Sequence, residues 1–271
     1  MRLTVRHTTA YDYDVPMRFV AQSHRLTPGN SEGQKVVSWN VSAEGAVFGA
    51  SFTDGGGDLV TTMTVDGPVS RVEVLVEGVV ETSDTSGVLR GHAERVSPRC
   101  FLRSTGPTKP GLGFEDLLEK ALRGLKDKSD LARAHALADF VAKSVAYRPG
   151  TTHAHTTAAE VVEAGEGVCQ DHAHVLIALA HLAEMPARYV TGYLLVEEKG
   201  SEGEASHAWA EIFIEGLGWV GFDAANGNCP DDRYIRLGSG RDAVDAAPIR
   251  GVSRGGGAEA MNVAVMVSSQ Q

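Results

Sequence analysis

The sequence predicts an α+β fold, in which a β-rich N-terminal region precedes a domain that combines helices and strands. Three observations support this prediction. The first hundred residues contain about six short strand-like segments, separated by Gly, Pro, Asp and Asn. Between Phe114 and Pro186 the apolar residues recur at the spacing of helices. After Pro186 the period of two returns, from Tyr189 to Phe222.

Size and charge argue against several classes of protein. Of 271 residues, 42% are hydrophobic and 22% are charged, as in folded rather than disordered proteins. The formal net charge is −10, and residues 111–271 carry 23 acidic and 14 basic side chains, so no nucleic-acid partner is expected. No apolar run reaches the roughly 20 residues that span a bilayer, so no membrane association is expected. With three cysteines and no signal-like start, the chain is expected to be cytoplasmic.

The N-terminal region, residues 1–105, is predicted to be a β-sandwich or a half-open barrel. Its strand-like segments are Arg2–Tyr13, Ala21–Thr27, Lys35–Val41, Ala46–Phe52, Leu59–Val65 and Val69–Val80. A linker rich in Pro and Gly, Arg103–Gly111, leads into a second domain, residues 106–271. A last strand at about residues 260–268 is expected to return to a sheet.

Three helices are predicted in the second domain. Two are amphipathic and lie within Phe114–Leu125 and Leu131–Val145. The third begins near Cys169 and is apolar almost all round at Val175–Ala180. We therefore expect this third helix to be central and buried.

The stretch Gly165–Asp171 places Cys169 at the start of this third helix. Unpaired backbone N–H groups and the positive end of the helix dipole favour a thiolate there. The same groups can stabilise an oxyanion, and the N–H of Cys169 is the first candidate. Many free cysteines are simply buried apolar side chains. Cys169 alone therefore leaves a catalytic and a structural interpretation open.

Two later strands supply partners for this thiol. In Ser206–Ile214, His207 and Trp209 share one face, while alanines and isoleucines face the core, so that His207 is displayed. Asp223 closes the next apolar strand, where a buried carboxylate needs a partner. A bend centred on Glu215 would place His207 opposite Asp223. Nucleophile, base and orienting carboxylate would then form a complete set for acyl transfer.

These motifs resemble those of the bacterial transglutaminase-like proteins, in the papain-like superfamily of cysteine proteases. The resemblance rests on segments spread over most of the chain: Tyr11–Tyr13, Gly167–Asp171, Pro186–Tyr193, Ser206–Trp209, Trp219–Asp223, Gly240–Asp242 and Pro248–Val252. Matched residue by residue, Cys169 corresponds to the nucleophile, His207 to the general base and Asp223 to the orienting carboxylate. One departure is the Ala224-Ala225-Asn226 sequence that follows Asp223, where the family more often has Pro and Thr.

The resemblance implies a papain-like fold, with the nucleophile helix packed on an antiparallel sheet that carries His207 and Asp223. It also implies acyl transfer on amide or peptide bonds through a thioester at Cys169, without a cofactor. Hydrolysis by a protease or amidase is favoured over transglutamination. A peptide or protein substrate is expected, while an amine acceptor and a homo-oligomer are left open.

Two other functions stay open at this point. An acyltransferase of the arylamine N-acetyltransferase type has the same Cys-His-Asp chemistry, but it needs a basic patch that the acidic residues 111–271 do not suggest. A non-catalytic peptide-binding or assembly module on the same scaffold is the other, and the presence of Cys169 argues against it.

Two further residues are predicted to contact the substrate: Trp209 as a wall of the cleft, and His155 in the loop before the nucleophile helix. His172 and His174 suggest a metal ion, but residues two apart on a helix point about 200° away from each other. No metal site is therefore expected. Asp171 is assigned to the N-terminus of the helix rather than to the chemistry.

Overall fold

The computed structural model describes residues 1–196 and 206–269. Its strands are β1 (Arg2–Thr27), β2 (Gln34–Ala43), β3 (Ala46–Thr53), β4 (Leu59–Thr82), β5 (Val88–Leu89), β6 (Ala146–Tyr147), β7 (Glu166–Gly167), β8 (Ala187–Leu194), β9 (Ser206–Ile214), β10 (Gly218–Phe222), β11 (Tyr234–Gly240), β12 (Ile249–Arg254) and β13 (Glu259–Ser269). Its α-helices are α1 (Phe114–Ala121), α2 (Asp130–Ser144), α3 (Ala158–Ala164) and α4 (Cys169–Leu182), and a 3-10 helix spans Pro98–Leu102. The predicted α+β class is confirmed.

The N-terminal region is a sandwich made by bending one sheet. The two longest strands, β1 and β4, pair along almost their whole length and change register where β1 passes from Asp12 to Phe19. Strands β13 and β2 flank the first half of this pair, and β12 and β3 flank the second half. Gly67 lies at the bend, where a Cβ atom would come within 2.0 Å of the Met17 carbonyl oxygen. Side chains of both halves, among them Tyr11 and Met63, pack in one apolar cluster.

The second sheet has the order β11-β8-β9-β10-β5, and its strands are all antiparallel. Helix α4 packs against one face, which β9 lines with Ala208, Ala210, Ile212 and Ile214. The predicted central position of this helix is confirmed, since Leu176 and its neighbours are fully buried. Apolar residues of β8 and β11, among them Tyr193 and Ile235, pack against the first half of the sandwich.

The two sheets exchange segments of chain, so they do not follow the expected division at residues 105 and 106. Strand β5 precedes that point but pairs with β10 of the second sheet. Strands β12 and β13 come from the C-terminal end but pair with β1. Strand β13 is the C-terminal strand at about residues 260–268 that was expected to return to a sheet, whereas β12 is a strand that the Gly- and Ala-rich sequence did not reveal.

Candidate active site

Helix α4 presents Cys169 at its first position, through a cap built on Asp171. The Asp171 carboxylate accepts hydrogen bonds from the backbone N–H of Val168 at 2.8 Å and the Thr152 hydroxyl at 2.6 Å. It is completely buried. Gly167 is needed here, because a Cβ atom would lie 2.7 Å from that of Asp171. Asp171 therefore fixes the turn that delivers the thiol, as its assignment to the helix N-terminus predicted.

The structure brings together the three side chains that the sequence singled out. His207 on β9 donates through Nε2 to Asp223 Oδ2, at 2.6 Å, and both residues are buried. This bond leaves Nδ1 for the partly buried Cys169 thiol, with which the ring also forms a hydrogen bond. Burial lowers the pKa of His207, but the bonds with Asp223 and Cys169 outweigh it and raise that pKa to about 10. Burial raises the pKa of Asp223, yet the bond with His207 outweighs it, and the net direction is down.

The register that was predicted for the β9–β10 hairpin is wrong by two residues. Gly218 pairs with Ile214 and Phe222 with Ala210, so the hairpin is centred on Gly216 and not on Glu215. Gly216 has φ +77°, a conformation that suits glycine. Asp223 lies beyond the ladder, but a shift of two residues keeps each side chain on the same face. His207 and Asp223 therefore still meet.

Asp223 has more partners than the sequence suggested. Oδ1 accepts hydrogen bonds from the backbone N–H groups of Ala225 and Asn226, at 3.0 and 3.2 Å. Oδ2 accepts from the Asn226 side-chain amide at 2.7 Å and from the Tyr234 hydroxyl at 2.8 Å. Asn226 had a local signal, since a short polar residue three positions after Asp223 suits a turn. Tyr234 lies on β11, and no spacing in the sequence indicated that it would contact Asp223.

Trp209 and His155 occupy different surroundings. Trp209 is 3% exposed, lies 6.4 Å from the His207 ring in a stacked arrangement, and meets Tyr234 edge-on at 5.6 Å. These contacts place Trp209 behind the imidazole, as packing. His155 is exposed, in a loop that touches α4 where the Gln170 amide donates to the Ala154 carbonyl at 3.5 Å. Contact of either residue with a substrate stays a prediction.

The histidines on α4 are engaged by the backbone. The two ring nitrogens of His172 lie 2.9 and 3.0 Å from the carbonyl oxygens of Val168 and Val145. His174 Nε2 accepts a hydrogen bond from the backbone N–H of Ala243 at 3.1 Å. Within residues 1–196 and 206–269, no three His, Cys, Asp or Glu side chains are grouped so as to hold a metal ion.

The face of β9 that carries His207 is covered, not displayed as the alternation suggested. Glu211, two positions beyond Trp209, is 3% exposed and lies between Arg188 Nε at 2.6 Å and Arg236 Nε at 2.9 Å. Burial alone would raise the pKa of Glu211, but the two arginines lower it to about 2. Arg236 also reaches Asp58 of the N-terminal region, at 2.9 Å. This buried ionic network joins the two sheets, and the covering layer is distant in sequence, which is why alternation could not reveal it.

Comparisons with known proteins agree with this architecture. A model of the transglutaminase-like superfamily matches residues 117–224, which include Cys169, His207 and Asp223. A model of the bacterial transglutaminase-like N-terminal region matches residues 3–81. Within residues 1–196 and 206–269, no helix is long and apolar enough to cross a membrane.

Similar proteins extend over nearly the whole chain. An uncharacterised protein of Mycobacterium leprae is 28% identical, and the match covers 98% of this chain and 98% of its own. One from Mycobacterium tuberculosis is 29% identical and covers 93% of this chain and 87% of its own. The crystal structure of a putative cysteine protease from Cytophaga hutchinsonii superposes with a TM-score of 0.75 at 22% identity, covering 100% of this chain and 91% of that one. This last match establishes the fold.

Proposed function

Because this chain belongs to the bacterial transglutaminase-like proteins, we propose that it is a thiol-dependent acyl-transfer enzyme that cleaves an amide or peptide bond. The observation that carries the proposal is the contact of Cys169, at the start of α4, with a buried His207 that is itself bonded to Asp223. With a pKa of about 10, His207 is protonated at neutral pH and stabilises a thiolate next to it.

The reaction proceeds in two halves. The Cys169 thiolate attacks the amide carbon, and the N–H of Cys169 faces the oxyanion at the helix start. The imidazolium of His207 gives its Nδ1 proton to the departing amine, which leaves a thioester. A water molecule then attacks the thioester while His207 takes one of its protons. The acid is released, and the thiolate–imidazolium pair is restored.

Hydrolysis is favoured over transfer to an amine. Water at roughly 55 M reaches a thioester unless the closed site excludes it. Peptides or proteins are the proposed substrates. Transfer to an amine acceptor would give an amide product, which mass spectrometry distinguishes from the lighter acid that hydrolysis gives. The cytoplasmic location and any homo-oligomer stay predictions.

A thiol-directed activity probe tests the proposal. We expect the probe to label Cys169 in preference to Cys100 and Cys229, as read by mass spectrometry of its peptides. A library of peptides and glutamine donors should compete with this labelling and thereby reveal the substrate class.

Cys169→Ala should abolish turnover of any competing substrate and leave the free energy of unfolding nearly unchanged, because the thiol is only partly buried. Cys100→Ala, at an exposed cysteine, is the matched control and should keep full activity. Turnover retained in Cys169→Ala would rule out the thioester.

A further inference from the structure

Five hydrogen-bond donors converge on the Asp223 carboxylate. Two backbone N–H groups bind Oδ1, and three donors bind Oδ2: His207 Nε2 at 2.6 Å, the Asn226 amide at 2.7 Å and the Tyr234 hydroxyl at 2.8 Å. A carboxylate offers about four lone-pair sites in all. The three donors on Oδ2 therefore compete, and each reduces the negative charge that the other two experience.

Tyr234 is the donor that distinguishes this arrangement, because it comes from a separate strand, β11. Burial and the Asp223 charge raise the pKa of the Tyr234 hydroxyl, so the group stays protonated and donates. Its other neighbour, Asn228 Oδ1, is neutral and farther away, at 3.2 Å. The hydroxyl proton therefore goes to Asp223, the closer and charged acceptor.

We propose that Tyr234 is a positioning residue that weakens the hold of Asp223 on the His207 proton. The inference rests on the proposed function. An imidazolium that is bound too firmly by its carboxylate is a poor acid toward the departing amine, because proton transfer is most efficient from a group whose pKa lies near the working pH. By sharing Oδ2, Tyr234 keeps the ring oriented and protonated but makes the proton easier to release.

Few titratable groups act on the His207–Asp223 pair. The titratable side chains that face it are Cys169 from α4 and Tyr234 from β11. Asp231, in the loop before β11, acts on Tyr234. Trp209 packs against both the His207 and the Tyr234 rings, which fixes their distance to Asp223. Removal of the hydroxyl alone should therefore change the charge distribution with little movement of the rings.

Titration of His207 in the full chain tests the inference without any substrate. The protein labelled with 15N-histidine has ten histidines, and His207→Gln assigns the signal of His207. In Tyr234→Phe we expect the pKa of His207 to rise by about 0.5 pH unit. Tyr193→Phe is the matched control, because Tyr193 is also buried and bonds a histidine, His7, at 2.8 Å. It should leave the His207 titration unchanged.

A second variant gives the opposite sign. Difluorotyrosine at position 234, introduced by suppression of a stop codon, is a more acidic phenol and a stronger donor, so the pKa of His207 should fall. It also carries the test if Tyr234→Phe does not fold. An unchanged His207 titration in a folded variant would overturn the inference and leave Tyr234 a structural residue. If His207 responds as expected but no amide is cleaved, the proposed function fails while the inference survives.

Discussion

Buried histidines in the two sheets of this protein differ in charge at neutral pH: one is protonated and the others are neutral. His207 in the second sheet has a pKa raised to about 10, whereas burial lowers the pKa of His7 and of His24 in the sandwich to about 4. All three are similarly buried. His7 bonds the hydroxyls of Tyr193 and Thr9, and His24 bonds the Gln22 amide, so both have neutral partners.

The comparison assigns the raised pKa of His207 to its hydrogen-bond partners and not to burial. Burial disfavours the imidazolium in every case. At His207 the bonds to Asp223 and Cys169 outweigh that penalty. At His7 and His24 burial dominates and lowers the pKa. A fully formed hydrogen-bond network around a histidine is therefore compatible with either charge state, and the charge of the partner decides.

The largest expected effect comes from making His207 resemble His7. Asp223→Asn keeps the shape of the side chain but removes its charge, so the pKa of His207 should fall below 6.5 and the thiolate should lose its counter-ion. We expect kcat/KM to drop about a thousandfold. Both quantities are measurable, by histidine NMR and by turnover of the substrate found with the probe.

Asn226→Ala is the control for this change, since it also removes a partner of Asp223 but leaves the carboxylate charge in place. It should keep His207 protonated at neutral pH. If Asp223→Asn left the ring protonated at neutral pH, the carboxylate would not be the cause of the raised pKa.

This contrast also marks what the sequence could predict. The alternation in β9 predicted correctly which residues face α4, because Ala208, Ala210, Ile212 and Ile214 are small or apolar and pack locally. It could not predict that Glu211 is buried, since the partner Arg236 is 25 residues away and the covering sandwich is farther still. A charged side chain under a distant layer has the same pattern as one in water.

The register of the β9–β10 hairpin and the additional partners of Asp223 could not be predicted from the sequence for a related reason. The centre of the hairpin depends on the conformation of its loop, in which both Gly216 and Gly218 have positive φ. With two glycines so close together, the sequence is compatible with a hairpin centred on either Glu215 or Gly216. A shift of two residues leaves each side chain on the same face of the sheet, so the predicted meeting of His207 and Asp223 was correct although the predicted register was wrong. Tyr234 reaches Asp223 only because β11 folds back beside β8, and no spacing between residues 223 and 234 encodes that topology.

The next effect concerns the stability of the protein in acid. His7, His24 and His174 are neutral in the folded protein with pKa values of about 4, while an unfolded histidine titrates near 6.5. The unfolded chain binds more protons between these values, so stability is full above about pH 6.5 and is lost as the pH falls toward 4. Each histidine should cost about 2 kcal/mol at pH 5.

Urea unfolding between pH 8 and pH 4.5 measures this loss. His24→Gln should flatten the acid limb, whereas His155→Gln, at an exposed histidine, should not. His207 contributes in the other direction: its stabilisation is present below pH 6.5 and is lost as the pH rises through about 10. An acid limb that is identical in His24→Gln and in the parent protein would contradict the comparison.

The smallest expected effect is the reverse experiment, in which His24 is made to resemble His207. Gln22 Oε1 lies 2.9 Å from His24 Nε2, so Gln22→Glu places a carboxylate at that atom with almost no change of shape. Attraction then opposes burial, and the pKa of His24 should rise from about 4 toward 6.5 or above. Gln22→Met, which keeps the volume and adds no charge, should leave His24 neutral. Among the residues that the structure describes, the side chain bonded to His24 is that of Gln22, and no cysteine contributes. A raised pKa of His24 in Gln22→Glu would therefore show that a carboxylate alone suffices to charge a buried ring. A His24 that still titrates near 4 would assign the decisive share at His207 to the Cys169 thiol.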